Sequence, residues 1–319
     1  MDNTAQHNRI LESLTRNLGP AFVEALSDPL TIEIILNPNG VLYQEKLGQP
    51  MTVIGTIGRV YAMSALNTMA TLLDTNITVD SPILEGELPI DGSRLAAWIP
   101  PIVAGPAFAI RKKASKVFTL DDYIESGSLP IEFAERIRSA VANKLNILIV
   151  GGTGTGKTTL TNAVIQEISV QFPDDRTVII EDTAEIQCSV ENKLCFTTSK
   201  NVSMTHLLKT TLRARPDRIL VGEVRGQEAL DLLDAWSTGH PGGVGTLHAD
   251  SAEKALSRLK SLVTRNPAHP NDIDALIGET VQMIVHIVKS PSGRKVKSLI
   301  EIHGYEQGKF LTTIHERKN

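Results

Sequence analysis

The segment Gly151-Gly152-Thr153-Gly154-Thr155-Gly156-Lys157-Thr158 constrains the fold of this 319-residue chain more than any other stretch. It matches the phosphate-loop pattern G-x-x-x-x-G-K-[ST] at every required position. It follows a continuous apolar run, Leu145 to Val150, and opens a helical stretch, Thr159 to Ile168. Glycines let successive backbone N–H groups turn inward around phosphates, and a helix N-terminus adds partial positive charge behind them. The loop and the residue after it, Gly152, Thr153, Gly154, Thr155, Gly156, Lys157, Thr158 and Thr159, therefore form a candidate nucleotide cradle. Lys157 would reach the β- and γ-phosphates, and the Thr158 hydroxyl would hold Mg²⁺.

The rest of the second half supports such a cradle. Short apolar runs recur at Thr177 to Ile180 and Arg218 to Val221 with helix-length segments between them, the pattern of a parallel sheet flanked by helices. The tail, Val281 to Ile314, alternates around a turn at Ser290 to Arg294 and reads as terminal strands added to that sheet. The first third reads differently. A helical stripe (Ile10, Leu11, Leu14, Leu18) breaks near Gly19-Pro20, and a hairpin joins Thr31 to Leu36 and Val41 to Lys46 through Asn37-Pro38-Asn39-Gly40. A second helix, Arg59 to Leu73, and two strand-like runs flanking Pro100-Pro101 follow. The expectation is an α+β domain over 1–118, a polar connection with a short helix over 119–130, and an α/β domain over 131–319.

In a parallel sheet the strand C-terminal ends line the ligand crevice. Arg218 to Glu223 is an apolar strand ending in an acid, as a Walker B strand does, with Gly222 where many such enzymes keep aspartate. The acids of Glu181-Asp182-Thr183-Ala184-Glu185 end the preceding strand. His248 ends another apolar–glycine run, Val244 to Leu247, at the same edge, and His240 precedes that run. A histidine there senses phosphate charge as a neutral donor or a cation. The two cysteines, Cys188 and Cys195, read as ordinary thiols, since six-residue spacing without nearby histidine is not a zinc pattern.

Four stretches in order carry a resemblance: the phosphate loop, Ile180 to Ile186, Leu212 to Gly226, and Thr238 to Ala249. Together they resemble the secretion and traffic ATPases, and within them the type IV secretion branch of conjugal-transfer ATPases of the TrbB type. The four-cysteine zinc module common in type II secretion ATPases is absent. The resemblance implies a RecA-like P-loop NTPase domain with a smaller N-terminal α+β domain, ATP and Mg²⁺ as ligands, and a homohexameric ring. It implies ATP hydrolysis with Glu185 activating water, Glu223 supporting Mg²⁺, and His248 coupling phosphate state to the next subunit. Arg94 and Arg111 occupy the places of N-terminal-domain arginines that approach the phosphates, while Arg213 and Arg215 stand as trans-acting or sensor cations. The implied partners are inner-membrane secretion-channel components and other secretion ATPases, at the cytoplasmic face with peripheral membrane contact.

Composition bears on the alternatives. A net charge of −4 and 4% aromatic residues count against a chain devoted to nucleic acid, whose backbone demands clustered cations and whose bases demand stacking platforms. No specific nucleic-acid binding is expected. A type IV pilus retraction or type II secretion ATPase shares the same four motifs and stays open on sequence alone, as does, more remotely, a nucleic-acid motor. A nucleotide-gated scaffold is opposed by the paired acids.

Overall fold

A computed structural model of the chain describes residues 2–46, 49–112, 117–199, 201–290 and 293–317, with side chains from Arg9 onward. It divides into two compact units, 1–115 and 116–319. Residues 113–116, near the end of the expected 1–118 domain, and residues 291–292 of the expected terminal turn lie outside the described residues.

The first unit is α+β. Helices α1 (Asp2–Leu18), α2 (Pro20–Ser27) and α3 (Arg59–Leu72) accompany a six-stranded antiparallel sheet. Its strands are β1 (Thr31–Leu36), β2 (Val41–Lys46), β3 (Thr52–Thr56), β4 (Ile83–Glu87), β5 (Arg94–Trp98) and β6 (Ala107–Arg111). They lie in the order β3-β2-β1-β6-β5-β4. The helical stripe expected near the N-terminus buries Leu14 and Leu18 completely, beside Phe22, Met69 and Phe108. The uncharged run between Arg94 and Arg111 folds into the β5–β6 pair, whose inward residues Leu95, Ala97, Phe108 and Ile110 are fully buried.

The second unit is α/β. Its sheet contains β7 (Ile147–Gly151), β8 (Thr177–Glu181), β9 (Lys193–Thr197), β10 (Arg218–Val224) and β11 (Val244–His248), then β12 (Met283–Ser290), β13 (Gly293–Glu306) and β14 (Lys309–Glu316). The order is β14-β13-β12-β7-β11-β10-β8-β9, parallel from β12 to β9 and antiparallel through β13 and β14. All five residues of β7 and all five of β8 are buried, as befits strands covered on both faces. Helices α5 (Ile131–Ala142) and α6 (Lys157–Gln171) share one core with Ile147, Ile149 and Leu220. Helices α7 (Met204–Thr211), α8 (Glu228–Ser237), α9 (Ala252–Val263) and α10 (Ile273–Thr280) share another with Leu148, Val150 and Val221. The sheet thus lies between two helical layers, the RecA-like arrangement with a smaller α+β unit before it.

The stretch 119–130, expected as a connection, belongs to the second unit. It forms α4 (Leu120–Glu125) behind a capping box between Thr119 and Asp122, and buries Leu120, Tyr123 and Leu129 in the α5–α6 core. Leu120, Tyr123, Ile124 and Leu129, spaced among polar or small residues, give a weak periodic signal but are enough to anchor this short helix.

Candidate active site

The chain leaves β7 for α6 and returns three strands away as β8, so the C-terminal ends of β7, β11, β10 and β8 stand side by side. Those ends carry Gly151, His248, Glu223 and Glu181 in that spatial order. Three strand spacings separate the outer two by about 14 Å. Residues 97 positions apart in sequence are thereby gathered along one edge.

The phosphate loop spans Gly151 to Lys157 between β7 and α6. Gly156 caps α6 with φ 92° and no side-chain cap, and Gly154 has φ 69°. Both lie in the left-handed region where a side chain is strained. At Gly156 an added Cβ would also stand 2.8 Å from the Arg294 side chain. The amides of Thr153 to Gly156 donate to no backbone carbonyl among the described residues. Successive unspent donors at a helix start, with glycines admitting close approach, suit a phosphate chain.

Lys157 is buried, and its ammonium donates to the Gly151 and Gly152 carbonyls at 3.0 and 2.9 Å. Its Nζ also lies 3.2 Å from His248 Nε2. The same His248 nitrogen lies 3.1 Å from Glu223 Oε1. One imidazole nitrogen cannot accept from Lys157 and donate to Glu223 at once, so its protonation decides which neighbour it serves. Partial burial first, and then the Lys157 cation, hold the His248 pKa below its ordinary value, while Glu223 opposes them.

The acids form two layers. Glu181 is buried, and its Oε1 accepts from the backbone N–H of Glu185 at 3.0 Å and of Ile186 at 2.9 Å. It therefore fixes the loop after β8. Asn162 on α6 steadies the same loop, donating to the Glu185 carbonyl at 3.2 Å and accepting from Gln187 N–H at 3.0 Å. Glu185 Oε2 then accepts from the Thr158 hydroxyl at 3.3 Å. The glycine at 222 has a reason in this packing: an added Cβ would stand 3.0 Å from Glu181 Cγ, so Glu181 fills the space an aspartate would need.

Arg225 lies within the Leu212 to Gly226 stretch, and its side chain sits among these acids. Its Nε donates to Glu223 Oε2 at 2.9 Å, NH2 bonds the same oxygen, and NH1 reaches Asp182 Oδ2 at 3.2 Å. Arg225 directly follows β10, two residues after Glu223.

Arg213, Arg215 and His240 lie elsewhere. Arg213 belongs to the short 3₁₀ turn Leu212–Ala214 and Arg215 to the left-handed residue after it, both ahead of β10. His240 precedes β11, its Nδ1 donating to the Pro216 carbonyl at 2.9 Å. All three stand at the N-terminal edge of the sheet, opposite the phosphate loop. In the first unit, Arg94 and Arg111 are cross-strand partners on β5 and β6. They are flanked in register by Glu87 on β4 and Glu33 on β1. Facing residues share a side, so the arginines form a pair on the face opposite that unit's core.

The donor set fits a nucleotide with a divalent cation. Among the described residues no three His, Cys, Asp or Glu side chains cluster as a metal site. Mg²⁺ is instead the cation that takes one or two protein oxygens and completes its shell with phosphate and water. The Thr158 hydroxyl and Glu223 carboxylate are oxygens of that kind. Among the described residues no helix is long and apolar enough to cross a membrane.

Comparison with known proteins bears on this geometry. A family model described as type II/IV secretion system protein matches residues 18–313. The probable conjugal transfer protein TrbB of Sinorhizobium fredii is 45% identical over 310 residues, covering 97% of this chain and 95% of that one. The crystal structure of the VirB11 ATPase of the Brucella suis type IV secretion system, solved with sulphate, is 27% identical with TM-score 0.50. It covers 92% of this chain and 96% of its own. The pilus retraction motor PilT with bound ADP aligns at TM-score 0.63 and 17% identity, over 93% and 82%, a likeness of fold.

Proposed function

Because the chain belongs to the type II/IV secretion system protein family, we propose that it is the ATP hydrolase of a conjugative type IV secretion machine. The observation that carries this reading is the single edge at which Lys157, Thr158, Glu185, Glu223 and His248 converge. Near full-length similarity to a conjugal transfer protein favours conjugation over pilus retraction, whose motor is similar in fold.

In this reading the loop amides and Lys157 hold the ATP phosphates, and Lys157 exchanges its two carbonyl bonds for phosphate oxygens. Thr158 and Glu223 hold Mg²⁺, which supplies positive charge against the β- and γ-phosphates. Glu185 takes a proton from the attacking water, held in place by Glu181 and Asn162. His248 follows the γ-phosphate through its shared nitrogen, since drawing Lys157 toward phosphate frees that nitrogen for Glu223. Arg94 and Arg111 serve as a phosphate-binding pair. Arg213, Arg215 and His240, set away from this chain's own loop, are assigned to contacts with a neighbouring subunit of a homohexamer. The ring acts in the cytoplasm against inner-membrane channel components and other secretion ATPases, with peripheral membrane contact.

The test is genetic. In a donor cell lacking the native gene, the wild-type chain restores plasmid transfer and the Lys157→Ala chain, expressed equally, does not. Wild-type transfer by Lys157→Ala would overturn the proposal.

A further inference from the structure

Both oxygens of the Glu223 carboxylate are already engaged. Oε1 faces His248 Nε2 at 3.1 Å, and Oε2 receives two donors from the Arg225 guanidinium. The third arm of that guanidinium holds Asp182, whose other oxygen accepts from the Thr198 hydroxyl at 3.0 Å. One arginine thus ties the acid that ends β10 to the acid that follows β8.

The backbone at this point is fixed independently of the side chain. Arg225 N–H donates to Glu228 Oε1 at 2.6 Å, and the Arg225 carbonyl accepts from Arg265 NH1 at 3.3 Å. The Arg225 side chain itself is 49% exposed. It can leave Glu223 by rotating into solvent while β10 stays in place. A carboxylate oxygen that already takes two charge-assisted hydrogen bonds from a planar fork offers little to a hydrated cation.

From this arrangement we infer that Arg225 is an internal competitor for the divalent cation: it holds Glu223 in the nucleotide-free chain and must release it before the metal–nucleotide complex is seated. The inference rests on the nucleotide site proposed above. Its consequence is a cost borne only by the metal-bound complex, because metal-free nucleotide has no need of Glu223. Arg225 is in this sense a positioning residue that lowers the site's preference for metal-bound over metal-free nucleotide.

The measurement is the ratio of affinities for a fluorescent ADP analogue in Mg²⁺ and in excess EDTA, on the full chain. Metal-free ADP carries more negative charge than its Mg²⁺ complex, so loss of a cation alone also raises the ratio, and Arg225→Lys, which keeps the charge, separates that cause from loss of the fork. Arg225→Gln is expected to raise the Mg²⁺-over-EDTA preference about two- to five-fold, the range for one half-exposed ion pair. Arg225→Lys keeps the charge but loses the fork, and is expected to fall between wild type and Arg225→Gln. An unchanged or reduced ratio in Arg225→Gln would overturn the inference. An Arg225→Lys ratio equal to wild type would replace the fork with simple charge repulsion and overturn it equally. Asp182→Asn, which loosens the third arm, should raise the ratio less than Arg225→Gln and supplies a second variant if that one fails to fold. Failure of the underlying site looks different: Lys157→Ala would then bind the analogue as tightly as wild type.

Discussion

At the scale of single residues, the site is a set of substitutes for groups that a nucleotide would bring. Lys157 spends its donors on loop carbonyls, and Glu223 spends its acceptors on Arg225 and His248. Glu181 is different, because its two backbone bonds place Glu185 whatever is bound. Glu181→Gln is therefore expected to lower kcat while leaving nucleotide affinity within about two-fold. A neutral amide accepts these N–H bonds more weakly than a carboxylate, by roughly 1–2 kcal/mol. Equal losses in kcat and affinity would place Glu181 in contact with ligand instead. Gly156→Ala is expected to abolish analogue binding, since φ 92° strains any side chain and the added Cβ meets Arg294. Isothermal titration checks this.

At the scale of elements, β12 carries a titration. His286 is buried on β12, and burial first, then Lys297, hold its pKa below the ordinary 6.5, with Glu253 and Asp250 opposing. The unfolded chain therefore binds a proton at this position before the folded chain does. Stability contributed by neutral His286 is complete above about pH 6.5 and declines as pH falls below it. Between pH 7.5 and 5.5 the wild-type melting temperature should fall further than that of His286→Gln; parallel falls would refute the assignment. Ser251 caps α9 by accepting from the Lys254 N–H, and Ser251→Ala is expected to cost about 1 kcal/mol in urea unfolding. The elements legible in the sequence were those with strong patterns: the buried run of β7, the Asn37 to Gly40 hairpin, and the Arg94 to Arg111 pair. Edge strands β3, β4 and β9 were not, because one neighbour and a half-exposed pattern leave little apolar alternation to read. The same distinction holds in the site. Motif spacing located the acids, whereas Asn162 and Glu181 act through backbone bonds that no spacing encodes. Arg213, Arg215 and His240 show that membership in a motif does not fix which end of a strand a residue occupies.

At the scale of the whole chain, each unit has its own core, one drawn from Leu14 to Ile110 and two from Leu120 to Ile302. A fragment spanning 117–319 is expected to unfold cooperatively on its own, checked by a circular-dichroism melt; a featureless melt would show that its cores depend on the first unit. In the proposed function, this chain hydrolyses ATP at the edge formed by β7, β11, β10 and β8. Phosphate release by the purified full-length chain in Mg²⁺ and ATP tests it most directly, with Lys157→Ala and Glu185→Gln measured alongside wild type. Wild type is expected to turn over, with both variants slower by about 100-fold or more. Variants that release phosphate at the wild-type rate would contradict it.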